Sequence, residues 1–361
     1  MANQQAISLS NKILTIIVPA YNMEKYLERC LSSLLIEDSL MKEFEVLIIN
    51  DGSKDKTSEI AHKFEASYPD TFRSIDKENG HYGSCINRGI AEATGTFIKI
   101  LDADDAFDKI VFSSFLKFIK EDDIHTKADV ILSDFSEVTP SGETRKIQHY
   151  SKHNRLFSIE NISDLEKYEW FIHGLSYKTD LLRRIHYHQT EGMAYTDHEW
   201  SFIPMTHAKI MARFEANDPL YLYTVGRLGQ TIDDSVHAKN LWMEIEVIEH
   251  LIDYFQTTKD SIEDSSQSFL FDRLYITITH IYQLYLVTYK YLDLPADRLF
   301  LFDNRLKVLS PALYSKTENY VTRIGGLFFQ PIKNWRHHRR FAMYLQSSLY
   351  FIADHIARLK M

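Results

Sequence analysis

The chain is poor in cysteine, has no long uninterrupted apolar run and carries no excess of positive charge. Its 361 residues include two cysteines, Cys30 and Cys85. That is too few for a disulfide framework or a zinc site, and it suits a reducing compartment. No uncharged apolar run approaches the roughly 20 residues that a membrane span needs. The opening residues, Met1-Ala2-Asn3-Gln4-Gln5, show no basic region followed by an apolar one. No secretory signal is therefore read, and a cytoplasmic location is expected. A formal net charge of −9 argues against a general nucleic-acid binder, so no nucleic-acid partner is expected. Repeats and low-complexity segments are also missing. What remains is ordinary globular material, 45% hydrophobic and 25% charged. It suffices for two domains, or one large domain with an appendage.

The first hundred residues alternate short β-rich apolar runs with helical spacing. Residues 13–18 (Ile-Leu-Thr-Ile-Ile-Val) and 44–49 (Phe-Glu-Val-Leu-Ile-Ile) read as buried parallel strands. Between them, Tyr26, Leu27, Leu31, Leu34 and Leu35 recur at helical intervals. Asn50-Asp51-Gly52-Ser53 marks a turn, after which Ser53 or Asp55 can cap a helix carrying Ile60 and Phe64. A Gly80–Gly83 loop, a helix over 84–93 and a strand over 96–101 follow. Another strand is read over 129–132. The pattern is less regular to about residue 235, and from 240 onward it is helical, with Leu241, Ile245, Ile248, Leu251, Ile252 and Phe255 at threes and fours. Such alternation predicts an α/β fold, a mostly parallel sheet flanked by helices. Ligands in these sheets bind beyond the carboxyl ends of the strands. Pro19–Asn22, Asn50–Ser53 and Asp102–Asp105 all lie at such ends.

The cluster Leu101-Asp102-Ala103-Asp104-Asp105 directly follows the apolar run Phe97-Ile98-Lys99-Ile100. Carboxylates gathered at a strand end suit a divalent cation. Mg²⁺ and Mn²⁺ prefer hard oxygen ligands and are commonly shared between one or two carboxylates and substrate phosphates.

Four segments, in this order and spacing, resemble family 2 inverting glycosyltransferases of the GT-A fold, of the non-processive bacterial type. They are Ile16-Ile17-Val18-Pro19-Ala20-Tyr21-Asn22, Val46-Leu47-Ile48-Ile49-Asn50-Asp51-Gly52-Ser53, Glu78-Asn79-Gly80-His81-Tyr82-Gly83 with Asn87-Arg88-Gly89-Ile90, and Lys99 through Asp105. The likeness covers residues 13–135 well and reaches about residue 235 more weakly. It implies a catalytic domain over 1–235 and a helical C-terminal domain over 236–361. It also implies transfer of a single sugar, with inversion, from a nucleotide-diphosphate sugar to an acceptor hydroxyl. A UDP-sugar is the donor of choice, and the acceptor would be a glycan or lipid-linked sugar in cell-surface polysaccharide assembly. By resemblance, Pro19, Ala20, Tyr21 and Asn22 line the nucleoside pocket and Asp51 accepts the uracil N–H. Asn79, Gly80 and Asn87 belong to the donor site. Asp102 and Ala103 address the ribose, and Asp104 with Asp102 holds Mg²⁺ or Mn²⁺, backed by Asp105. Asp197 is the base and Arg227 pairs with the diphosphate.

The chain departs from the family at two points. Thr196-Asp197 stands where Glu-Asp is usual, so Asp197 carries over and its preceding Glu does not, with Glu199 as the runner-up base. Ile86 occupies a position that is often Arg, and Arg88 is the substitute candidate for phosphate. His173 is a candidate contact to donor or acceptor, or a structural residue. His186-Tyr187-His188 spaces two imidazoles as a metal pair would, although alternation on a strand explains it more simply. A sugar nucleotidylyltransferase is the competing enzyme reading. It would need a glycine-rich loop with a basic residue after the first strand, where Pro19-Ala20-Tyr21-Asn22 stands. A catalytically inactive scaffold is the competing reading of a different class.

Residues 321–361 carry a net of six positive charges, interleaved with Phe328, Phe329, Trp335, Phe341, Tyr344, Leu345, Tyr350 and Phe351. Two readings stand. One is peripheral contact with an anionic membrane, at the inner face of the cell membrane. The other is a helix packed on the catalytic domain with a solvated basic face. The aromatic stretch 268–292 is the candidate surface for a homo-oligomer.

Overall fold

The computed structural model describes residues 12–139, 141–148, 155–158, 171–226, 230, 233–289, 294, 296–324 and 326–358. The chain divides into two compact units, Met1–Arg227 and Leu228–Met361.

The first unit opens with β1 (Leu14–Ala20), α1 (Leu27–Ser32), α2 (Asp38–Met41), β2 (Phe44–Asn50), α3 (Thr57–Ser67), β3 (Phe72–Asp76), α4 (His81–Glu92) and β4 (Phe97–Ile100). Strands β3, β2, β1 and β4 lie side by side, all parallel. Every residue of β1 and β4 is buried, as a strand covered on both faces must be. One face of this sheet, with Ile16, Val18, Val46 and Ile48, packs in a core with Phe112 and Phe115. The other carries Ile17, onto which α4 presses at Gly89. A Cβ there would meet the Ile17 side chain at 2.5 Å, so only glycine permits the approach.

The chain continues through β5 (Ala106–Phe107), α5 (Lys109–Ile119), α6 (Asp122–Lys127), β6 (Val130–Leu132), β7 (Phe135–Val138), β8 (Thr144–Gln148), β9 (Leu156–Ser158), β10 (Leu175–Lys178), α7 (Thr179–Arg184), α8 (Asp197–Phe202), β11 (Ile210–Arg213) and β12 (Tyr221–Thr224). Helix α5 is capped by Asp108, whose carboxylate accepts from the amides of Ile110 (2.9 Å) and Val111 (3.0 Å). Strand β10 joins the large sheet antiparallel to both β4 and β6, giving eight strands in the order β3-β2-β1-β4-β10-β6-β11-β9. A second sheet, β5-β12-β7-β8, stands beside the end of β4.

The second unit is helical, with α9 (Asp234–Thr258), α10 (Asp264–Gln283), α11 (Ala296–Leu309), α12 (Pro311–Glu318), the hairpin β13 (Thr322–Ile324) and β14 (Leu327–Phe329), α13 (Pro331–Arg336) and α14 (Arg340–Arg358). The expected stripe Leu241, Ile245, Ile248, Leu251, Ile252 and Phe255 is buried throughout. Beside it lies a buried polar knot. Arg336 donates to Asp303 through Nε (2.9 Å), to the carbonyl of Tyr314 (2.8 Å) and to the hydroxyl of Tyr282 (3.1 Å), while Tyr282 donates to Asp303 (2.5 Å). No helix among the described residues is long and apolar enough to cross a membrane.

Candidate functional site

The carboxyl ends of β1, β2 and β4 meet at one edge of the sheet. Pro19 and Ala20 sit inside β1, paired with Ile49 and Asn50, and their place is in the ladder rather than in a free loop. Tyr21 projects beyond them, 47% exposed. Asn22 adopts a left-handed backbone (φ 55°) and ties two loops together. Its amide donates to Ser53 Oγ (2.9 Å), and its Oδ1 accepts from the Lys54 amide (2.8 Å). Tyr21, Gly52, Lys54, Asp76, Lys77, Glu78 and Asn79 surround an open cavity of about 520 Å³.

Asp51 lies under this cavity and is 3% exposed. Its Oδ1 accepts from Lys77 Nζ (2.6 Å) and the Gly80 amide (2.9 Å), and its carbonyl accepts from Asn79 Nδ2 (3.0 Å). Burial, and then the nearby Asp51 charge, push the Cys85 thiol up to about 12. Lys77 and Asn79, not Asp51, reach the cavity wall. Lys77 escaped the sequence reading because it follows β3, a strand whose half-exposed run Phe72-Arg73-Ser74-Ile75-Asp76 gives little apolar signal.

The acidic loop after β4 is held from three sides. Tyr82 donates to Asp102 Oδ1 (2.8 Å). Tyr221 accepts from the Asp102 amide (3.1 Å) and donates to Asp105 Oδ2 (2.7 Å). Asp105 Oδ1 accepts from the Thr224 amide (2.7 Å). Arg29 reaches across from α1 to the carbonyl of Asp104 and to Thr224 Oγ1 (2.6 Å). Ala103 points into the core and offers backbone alone. Asp105 is fully buried and Asp104 nearly so. Burial first, then the charges of Asp104 and Asp102, raise the proton affinity of Asp105 well above the carboxylate range.

An oxygen of Asp102, an oxygen of Asp105 and a ring nitrogen of His173 lie within 4.8 Å of one another. His173 is buried between Tyr221 and Tyr223, with ring centroids 4.7 and 4.3 Å away, and its Nδ1 has no hydrogen-bond partner. Desolvation, and then the Lys99 charge, lower its pKa to about 3, so the imidazole is neutral as a metal ligand must be. An Asp102 oxygen and the neutral imidazole suit a divalent cation, whereas both Asp105 oxygens are already engaged, by the Tyr221 hydroxyl and the Thr224 amide. The cluster contains Asp102 but not Asp104, and it adds Asp105 and His173 to the residues expected. Lys99, buried beneath, donates to the carbonyls of His173 (2.8 Å) and Leu175 (3.5 Å), and burial lowers its pKa to about 7.

Asp197 opens α8, half-buried. Its charge contributes to the raised pKa of Tyr82 and of Tyr223, which places it within electrostatic reach of the Asp102 loop. Glu199, the runner-up base, has no capacity for that work. It is fully buried, and its two oxygens accept from the Thr190 amide and hydroxyl at 2.6 Å each. Asn87 is likewise committed. Its Nδ2 donates to the Gln189 carbonyl and its Oδ1 accepts from the Gln189 amide, both at 2.8 Å, so it clamps the 189–191 loop instead of facing the cavity. The loop lies so close that a Cβ on Gly83 would stand 2.0 Å from the Thr190 carbonyl oxygen. Gly80 accepts at its carbonyl from the Gly192 amide (3.0 Å). Arg88, the substitute candidate for phosphate, pairs with Glu92 (2.9 Å) on the exposed side of α4. His186-Tyr187-His188 forms no strand. It follows α7 as an irregular turn with His186 at φ 51°, and neither histidine joins the cation cluster. Arg227 lies outside the described residues.

Residues 15–184 match the family model described as glycosyl transferase family 2. This segment is a family 2 glycosyltransferase domain. It is 36% identical over 115 residues to the uncharacterized glycosyltransferase MG025 of Mycoplasma genitalium, an overlap covering 31% of this chain and 38% of that protein. Against the uncharacterized glycosyltransferase EpsJ of Bacillus subtilis, identity is 28% over 177 residues, covering 48% of this chain and 49% of the relative. The chain thus spans half or less of the length of these relatives. In architecture, the structure of S. aureus TarS 1-349 in complex with UDP superposes with a TM-score of 0.58 at 17% identity, over 97% of this chain and 92% of that one. The fold of the glycosyltransferase domain is accordingly GT-A.

Proposed function

We propose that the chain transfers a single sugar from a UDP-sugar to an acceptor hydroxyl with inversion at the anomeric carbon. The observation that carries this reading is the meeting, at one sheet edge, of the Tyr21–Asn79 cavity, the Asp102–Asp105 loop and Asp197. UDP is favoured by the fold relative that carries it. Tyr21 offers a ring face for the base and Asn79 a side-chain amide donor for its carbonyl edge, while Lys77 is engaged by Asp51, the Glu78 carbonyl and Ser84. Asp51 acts beneath them by fixing Lys77 and the Gly80 amide.

A divalent cation held at Asp102 would neutralise charge on the departing diphosphate. The cluster geometry nominates His173 as a further ligand, with Asp105 behind it held by Tyr221 and Thr224, and the motif nominates Asp104. Asp197 takes the acceptor's proton as its oxygen attacks the face of the sugar opposite the diphosphate. Tyr82 orients Asp102 by its hydrogen bond, and the Asn87 clamp holds the loop that leads into Asp197 against α4. A glycan or lipid-linked acceptor of surface-polysaccharide assembly suits this chemistry.

The test is a thermal-shift panel of UDP, GDP, dTDP and common UDP-sugars with and without Mn²⁺, on the wild type and on Asp102→Asn, Asp104→Asn and His173→Gln. Ligand at 100 times its dissociation constant stabilises the fold by about 2.7 kcal/mol, well within reach of a melt. A Mn²⁺-dependent shift with UDP that Asp102→Asn abolishes supports the reading, and the other two variants separate the ligand sets. No shift with any nucleotide refutes it.

A further inference from the structure

Helix α14 turns large apolar side chains outward. Its inward side mixes the half-buried Met343 and Tyr350 with two buried polar residues. Gln346 and Ser347 are fully buried, Gln346 facing Asn334 and Ser347 donating to the Leu286 carbonyl (3.3 Å). Its outward positions are large and apolar. Phe341 is 79% exposed, Tyr344 66% and Ile352 53%, with Leu345 beside them. Residues 341, 344, 345 and 352 fall on one helical face. The hairpin β13–β14 packs against the same helix and adds Leu327 and Phe328, the latter 74% exposed. Large apolar side chains gathered on one exposed face mark a contact with something other than water.

The charge around this face selects among occupants. Arg323, Arg339 and Arg340 are exposed around it, and Arg323 lies over the Phe328 ring at 5.8 Å. Between Glu318 and Asp354 the sequence contains no acidic residue, although the whole chain carries a net charge of −9. A second copy docking through the same patch would bring an identical set of cations and no carboxylate to meet them. Anionic lipid headgroups supply both the opposite charge and an apolar layer beneath it. At 19 residues, α14 is roughly 28 Å long, suited to lying along a surface. We propose that the outward face of α14, with the tip of the β13–β14 hairpin, docks the protein onto an anionic bilayer surface. The aromatic side chains enter the headgroup layer and Arg323, Arg339 and Arg340 bind lipid phosphates. This proposal does not depend on the transferase reading.

The test is co-sedimentation of the full chain with vesicles of phosphatidylcholine alone and of equimolar phosphatidylcholine and phosphatidylglycerol. The wild type is expected to bind the mixed vesicles and not the neutral ones, with binding that weakens as salt rises. The double variant Phe341→Glu/Ile352→Glu should lose at least about tenfold in partitioning, since two buried apolar side chains are exchanged for charges. Arg339→Gln/Arg340→Gln should lose about fivefold per arginine. All four substituted positions are exposed, so unchanged circular dichroism and an unchanged melt confirm that the variants fold. Failure of the wild type to bind mixed vesicles, or equal binding to both vesicle types, overturns the proposal. So does a wild-type dimer in light scattering that Phe341→Glu dissolves, which would give the face to a second copy. Nucleotide-induced shifts are read separately, so loss of one activity does not mimic loss of the other.

Discussion

Tyr221→Phe isolates the hydroxyl that organises the acidic loop. The tyrosine is 1% exposed, and its ring packs against Phe107 (5.6 Å) and His173 (4.7 Å), contacts that phenylalanine keeps. Only two hydrogen bonds disappear, the donation to Asp105 Oδ2 (2.7 Å) and the acceptance from the Asp102 amide (3.1 Å). A bond to a carboxylate is worth about 1.5–3 kcal/mol, and a buried amide left without an acceptor costs about 1–3 kcal/mol. Burial already raises the proton affinity of Asp105 and the Tyr221 bond offsets part of that rise, so its loss raises the affinity further and lowers the penalty. The expected destabilisation is about 2–4 kcal/mol, read as a lower urea midpoint with an unchanged slope. Asp105→Asn and the double variant complete a thermodynamic cycle, in which a coupling of about 1.5 kcal/mol or more is expected. Additive losses, or a single-variant loss below about 0.5 kcal/mol, would refute the view that this hydroxyl carries the loop.

Three further outcomes follow from the same coordinates. Lys99 is protonated in the unfolded chain up to about pH 10.5 but in the fold only up to about pH 7. The unfolded state therefore binds more protons between these values, and stability rises with pH across them. Between about pH 7 and about pH 9 the wild type should gain about 2 kcal/mol more than Lys99→Met does, measured by urea unfolding, and parallel responses would count against it. Arg336→Met leaves the Asp303 carboxylate buried with only Tyr282 to pair it, so a loss of about 3–5 kcal/mol is expected in the same assay. Asp197→Asn should abolish product formation while leaving the Mn²⁺-dependent nucleotide shift intact, since the residue is assigned to the acceptor's proton. Loss of the shift as well would assign it to the donor site.

The strands that carry the site were legible because they are buried on both faces. Leu14–Ala20, Phe44–Asn50 and Phe97–Ile100 are short β-rich runs, mostly apolar and each broken by at most two polar residues. Strand β3 was not legible, since its side chains are half in solvent and include Arg73 and Asp76. Strand β10 was hidden for another reason. Four residues long, it enters the sheet antiparallel between β4 and β6, a choice made by long-range pairing alone. The same limit applies to the side chains. A motif names Asp102 and Asp104, but nothing local reveals that Arg29, Tyr82, Tyr221 and His173 converge on them from up to about 120 residues away. Asn87 and Glu199 show the reverse failure. Both are polar residues in suggestive places, and the fold spends them on Gln189 and Thr190.

Gly80 is held at both of its backbone groups, its N–H donating to Asp51 and its carbonyl accepting from the Gly192 amide. It links the residues under the Tyr21–Asn79 cavity to the loop that runs on to Asp197. A displacement of Asp51 would therefore be felt at Gly80, and through Gly80 at the loop that leads to Asp197.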